Sequence, residues 1–176
     1  SRDLLDDSWV VIHGQSYVVA GRDGGHRDGE ADFVFFSARH GILAVEVKGG
    51  GVSYNPADEV GWQSIDRMGK AHKIKDPVAQ AKGHKYAILE QLQSDNKWRS
   101  LRRRISAGHA VLLPDVETVA GFSRPEFPNE LIGGKAHLKD LPKWLEELFG
   151  YWSEPHCQPL GPDGLEIVER VMCHPI

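Results

Sequence analysis

The chain has 176 residues, 40% of them apolar and 26% charged, with a formal net charge of −4. That length suits one domain with a sizeable core, no apolar stretch approaches membrane-spanning length, and no secretory leader is visible. Two cysteines, Cys157 and Cys173, supply neither a disulfide framework nor a zinc-ligand spacing, and a reducing cytoplasm is the expected compartment.

In chain order, DLLDD reads as the end of a helix that began further upstream. WVVIHGQSYVVAG (9–21) is β-rich, with a break expected at Gly14, and GRDGGHRDG is a loop. GEADFVFFSARHGILAVEVKGG (29–50) is a hairpin with strands near 30–36 and 42–48 around SARHG. The GGG at 49–51 ends the second strand, and VSYN and WQSID are short strands after it. Asp76-Pro77 pairs an N-cap residue with proline at the first helical position, so a helix opens there and runs to about Gln93. HAVLLP (109–114) is a buried strand by its unbroken apolar run. LPKWLEELFGYW is a helix, and a last helix opens at Pro162-Asp163. Strands alternating with helices point to an α/β fold around a small mixed sheet.

Charge is uneven along the chain. Between Arg67 and Arg104 eleven Lys or Arg stand against three acids, a local +8 in a chain that is acidic as a whole. Such asymmetry fits a surface facing a polyanion, and equally a solvated helix face.

The hairpin carries the chemistry. Alternation puts Glu30 and Asp32 on one face of the first strand, and Glu46 and Lys48 on one face of the second. With the turn centred on Arg39, Asp32 falls opposite Glu46 and Glu30 opposite Lys48. Opposed Cβ atoms lie about 4.5–5.5 Å apart. Two carboxylates held so close repel unless a cation sits between them or one takes a proton. A hard divalent ion answers that need, since Mg²⁺ is commonly held by one or two carboxylates with waters and phosphate oxygens. Lys48 can point at the same spot, toward a phosphate oxygen or a metal-bound hydroxide. The plainer alternative is a surface hairpin with a Glu30–Lys48 salt bridge, which leaves Asp32 facing Glu46 without compensation.

Asp32, then thirteen residues, then Glu46-Val47-Lys48 resembles the D…ExK core of the PD-(D/E)XK nuclease superfamily. More narrowly, GEADFVFF, GILAVEVKGG, Trp62 and DPVAQAKGHKYAILEQL resemble the nuclease-related domain, NERD, over roughly residues 9 to 115. The resemblance implies a restriction-endonuclease-like core: a small mixed sheet, a β-hairpin carrying the active site, and flanking helices. It implies metal-dependent phosphodiester hydrolysis of DNA using Mg²⁺ or Mn²⁺, with the choice between DNA and RNA left open. Asp32 and Glu46 would be metal ligands, the Val47 carbonyl an extra one, and Lys48 the water-activating or charge-stabilising lysine. Gln80 would be the glutamine on the helix after the core. Many such nucleases also carry a metal-assisting glutamate on the first helix; this chain offers only Asp3, Asp6 and Asp7 there, or Glu30 as a replacement. The resemblance also implies a superfamily 1 helicase or ATPase, fused or separate, as partner. No GxxxxGK[ST] occurs in the chain, so a motor belongs to another segment.

Other residues fill the surroundings. Lys82, His84 and Lys85 follow Gln80 on its helix and could meet phosphates. KWRSLRRR (97–104), with Lys97, Arg99, Arg102, Arg103 and Arg104 and no acid, suits salt-sensitive phosphate binding. For each, a solvated basic face is the alternative. The histidines show no zinc spacing, the five tryptophans are expected to pack, and Ser8, Ser16 and Ser37 lack a nucleophile elbow. The chain reads as one domain, 1–176, with a core at about 9–115 and a C-terminal helical part at 138–173, excised from something longer. Against the nuclease stands a catalytically inactive module that keeps the fold and positions nucleic acid or a partner protein.

Overall fold

A computed structural model describes residues 5–20, 26–57, 59 and 61–173, the side chains of 15–20 and 26–32 excepted. Its strands are β1 (Trp9–Ala20), β2 (His26–Ser37), β3 (Ile42–Val47), β4 (Gly51–Tyr54), β5 (Trp62–Ile65), β6 (Ala71–Lys73), β7 (Ala107–Leu112) and β8 (Ile132–Gly133). Its helices are α1 (Pro77–Gln93), α2 (Asn96–Ser100), α3 (Lys135–Leu138), α4 (Leu141–Trp152) and α5 (Gly161–Val168), the last continued by a π-helical turn, Glu169–Cys173. One sheet has the order β1-β2-β3-β7-β8 and a second, smaller one β4-β5-β6. β1, β2 and β3 are antiparallel neighbours, whereas β7 runs parallel to β3, and β8 parallel to β7. The fold is thus α/β with a mixed sheet and flanking helices, as the nuclease-like pattern requires.

The unbroken runs FVFF and ILAV form strands buried on both faces. Val34, Phe36 and Ile42 pack with Ile88 and Leu92 of α1 and with Leu165 and Val168 of α5. Phe35, Leu43 and Val45 point the other way, to Trp144, Leu145 and Leu148 of α4. Full burial of each such side chain contributes about 1.5–3 kcal/mol, which makes the hairpin a stable base for charged residues at its end. Gly108 of β7 is required by packing: a Cβ there would run into the Trp152 indole.

Several boundaries differ from the sequence expectations. Leu5–Asp7 form a bend and turn rather than a helix end, with the Asp6 carbonyl and carboxylate accepting from Trp9 N and Ser8 N; residues 1–4 lie outside those described. β1 is not broken at Gly14. A φ of 61° there is absorbed by glycine, and the ladder keeps its register from His13↔Phe33 to Gln15↔Ala31. His26–Gly29 belong to β2 instead of a loop, because β1 is long enough to pair with them. β6 has no counterpart among the sequence expectations; all three of its residues are exposed, so no apolar period marks it. Among the described residues no helix is long and apolar enough to cross a membrane.

Candidate active site

The β2–β3 register is the one the turn predicts: Phe36↔Ile42, Phe35↔Leu43, Val34↔Ala44 and Phe33↔Val45. Continued by one residue, this register would set Asp32 across from Glu46. The side chains of Asp32 and Glu30 fall outside the described residues, and Glu30 pairs through its backbone with Ser16 of β1.

Glu46 is 3% exposed, an unusual place for a carboxylate unless it is paired. Its Oε1 lies 2.7 Å from Lys48 Nζ, and its Oε2 lies 3.4 Å from His84 Nδ1. Lys48 reaches it because residues two apart share a strand face. Lys48 thus bridges to the acid two residues before it, while the alternative Glu30–Lys48 bridge involves a side chain outside those described. Val47 faces the other way, and its backbone is registered with Leu112 on β7. Beyond Lys48 the chain turns through glycines, and the Asp115 carboxylate holds this exit by accepting from Gly50 N at 2.6 Å.

α1 brings the second half of the site. Asp76 caps it, accepting from Val78 N at 2.8 Å and Ala79 N at 3.2 Å, and Pro77 opens it. Arg124 binds the same cap, with Nη2 3.1 Å from Asp76 Oδ2. Gln80 and His84 are four apart and share one helix face. Gln80 Oε1 is buried with no hydrogen-bond partner among the described residues. An oxygen acceptor left in that state costs about 1–3 kcal/mol and is the donor type a hard cation takes. Glu46 and Gln80 therefore fit Mg²⁺ or Mn²⁺ by ligand chemistry. Among the described residues no three His, Cys, Asp or Glu gather as a ligand set, so the fit depends on Asp32 as the second carboxylate.

Further along α1, Lys82 is exposed and Lys85 is not. Lys85 is 6% exposed, its Nζ 4.7 Å from the centre of the Tyr86 ring and 4.5 Å from that of Trp152. Burial, with the Lys82 charge adding to it, pulls its pKa down. His109 on β7 lies under the same cations, its ring 4.8 Å from that of Trp152. Burial first, then Lys85 and Lys82, push His109 down to about 4. It is a neutral imidazole at physiological pH.

The basic run 97–104 does not form one face. Arg103 makes a fork to Asp163, 2.6 and 2.5 Å, and donates to Leu160 O at 2.8 Å. Arg104 pairs with Glu154 at 2.6 Å. Arg99 donates to Gln93 O and to Asn96 Oδ1, while Arg102 is exposed in a turn with φ of 52°. Two of the expected phosphate-binding residues, Arg103 and Arg104, thus tie the segment to α5 and to the connection between α4 and α5.

The sequence does not single out His84 as a partner of Glu46, nor His109 or Asp115 as neighbours of the site. The four-residue step from Gln80 to His84 is the available signal for the first. The other two have none, because Asp115 meets Gly50, and His109 meets Trp152, only once the chain is folded. In comparison with known proteins, neither a curated protein nor a solved structure matches this chain. The nuclease-related domain family matches residues 1–114, a span that includes β1 to β7, α1 and α2. With Glu46, Lys48, Gln80 and His84 all inside that match, the chain belongs to the nuclease-related domain family, NERD.

Proposed function

We propose that this chain hydrolyses phosphodiester bonds in DNA with the help of Mg²⁺ or Mn²⁺. The observation that carries the reading is the buried Glu46 carboxylate, bridged by Lys48 and His84; the β2–β3 register, continued by one residue, would bring Asp32 opposite it. Asp32, Glu46 and the Gln80 amide oxygen would hold the cation, with the Val47 carbonyl and Glu30 as further oxygen donors. When bound, the cation withdraws charge from a phosphate and makes water more acidic. His84 is a positioning residue: it fixes the orientation of Glu46 from the opposite side to Lys48. Lys48, 27% exposed at its side chain, sits where an ammonium can meet either a phosphate oxygen or the incoming nucleophile, stabilising charge that develops during the reaction. Lys82 offers its charge to the phosphate backbone, a sequence-independent contact. A helicase or ATPase of superfamily 1, fused or separate, is the proposed partner that feeds the strand.

One observation favours the second reading, a non-cleaving module that binds nucleic acid or a partner. Lys48 is already engaged by Glu46, 2.7 Å away. Supercoiled plasmid incubated with the protein and Mn²⁺, against the same mixture in EDTA, separates the two. Nicking or linearisation only with Mn²⁺ supports the nuclease; retarded but intact plasmid supports the module.

A further inference from the structure

The small sheet ends in a hairpin whose tip is built to hold one apolar side chain in water. Asp66 is used up inside the turn. Its Oδ1 accepts from Met68 N and Lys70 N, both at 2.9 Å, and its Oδ2 lies 2.8 Å from His72 Nε2. Asp66 N donates to Lys70 O at 3.0 Å, and Gly69 takes a φ of 79°, which glycine adopts without strain. Within this fixed turn Met68 is 92% exposed. Arg67 and Lys70 flank it, both exposed. Residues 61–75 hold four Lys or Arg against one acid, Asp66 itself.

The base of the hairpin is anchored beside the candidate site. Trp62 is fully buried and stacks on Phe122 at 5.6 Å. Ile74 N donates to Trp62 O at 3.2 Å. Arg124 lies 4.8 Å from the Tyr54 ring while binding Asp76, so it joins the sheet to the start of α1. The chain enters this sheet directly after Lys48 and leaves it into α1, which carries Gln80 and His84. Both roots of the arm are therefore continuous with residues that surround Glu46.

Lys73 on β6 is accounted for as protection of an open sheet edge. Edge protection does not account for a thioether placed on a rigid tip between two cations. A two-stranded ribbon fits a duplex groove, and apolar wedges, methionine among them, are used to press on base steps while nearby cations take the phosphates. We infer that the β5–β6 hairpin grips double-stranded DNA, with Arg67 and Lys70 on phosphates and Met68 against a base step. This rests on the nuclease reading and adds its substrate class, a duplex.

Three proteins test it: wild type, Met68→Ala, and the double variant Arg67→Gln/Lys70→Gln. Binding to a labelled duplex and to the matching single strand is followed by anisotropy across a salt series, and 2-aminopurine placed along the duplex reports unstacking. Hydrolysis of bis(p-nitrophenyl) phosphate with Mn²⁺, a substrate too small to reach the hairpin, reports the reaction centre. Met68→Ala is expected to weaken duplex binding several-fold and to lose the 2-aminopurine signal, with its salt slope unchanged. The double variant is expected to reduce that slope by about 0.9 for each phosphate it no longer neutralises. All three should hydrolyse the small substrate equally. If wild type binds and cuts DNA while both variants match it on duplex, the grip is wrong and the nuclease stands. If the variants lose single-strand binding alone, the duplex assignment is overturned. If wild type acts on neither plasmid nor the small diester, the nuclease reading itself falls and this inference with it.

Discussion

Glu46 and His109 show how burial decides what a side chain does here. Glu46 is accommodated in the core by Lys48, 2.7 Å from one oxygen, and by His84, 3.4 Å from the other. His109 instead feels two lysines, which together with burial hold it neutral. An unfolded histidine titrates near 6.5, whereas this one waits until about 4. Between those values the unfolded chain binds more protons, so the His109 contribution to stability is full above about 6.5 and falls as pH drops toward 4. The loss is on the order of 3 kcal/mol. Denaturant midpoints of wild type and His109→Gln between pH 4 and 7 check this: the variant should show a flatter fall, and parallel curves would remove His109 as the cause. At this scale the β2–β3 register is legible in the sequence, since a turn centred on Arg39 is enough to set Phe33 across from Val45 and Phe36 across from Ile42. The roles of His84 and Lys85 are not. They sit one residue apart on α1, and only the azimuth of the packed helix sends one to Glu46 and the other between Tyr86 and Trp152.

Among the elements, α1 matters most, because it brings His84 to Glu46 at the end of β3 and carries Gln80 one turn earlier on the same helix face. Its start is fixed by Asp76, which satisfies two otherwise unpaired N–H groups and also binds Arg124. Asp76→Ala should lower stability by about 1–2 kcal/mol. Asp76→Asn, which keeps an acceptor for the cap, should recover most of that loss. Chemical denaturation of both variants measures it, and an alanine variant as stable as wild type would show that Pro77 and packing alone set the helix. The cap, the proline and the helix length can be read from DPVAQAKGHKYAILEQLQ, because capping is local chemistry. β6 and the extension of β2 to His26 cannot. Their residues are polar or exposed, and they are strands only because a longer neighbour supplies the hydrogen bonds.

Across the whole molecule, the local +8 of residues 67–104 is spread over the β5–β6 hairpin, α1, α2 and the segment after α2. In that last segment Arg103 and Arg104 answer Asp163 and Glu154, and Asp95, which caps α2, answers Arg170. Linear charge density does not reveal this, since the opposing acids, one in α5 and one in the connection after α4, come some fifty or more residues on. Arg103→Glu/Arg104→Glu is therefore expected to lower the thermal midpoint and leave the salt slope of DNA binding as it was. A smaller slope with an unchanged midpoint would return these two residues to the phosphate surface. The fold itself follows from patterns that do survive in the chain: two-sided apolar strands, a capped crossover helix, and β7 in parallel beside β3. The nuclease reading depends on one acid in that fold, Glu46, buried at the end of β3. The most direct measurement is plasmid cleavage by wild type and Glu46→Gln over a Mn²⁺ series, with Mn²⁺ binding followed by calorimetry in parallel. Glutamine keeps the shape and an acceptor for Lys48 but removes the charge, so both Mn²⁺ affinity and cleavage should be lost in a protein that still folds. Cleavage by Glu46→Gln at the wild-type rate, with Mn²⁺ affinity intact, would contradict the assignment.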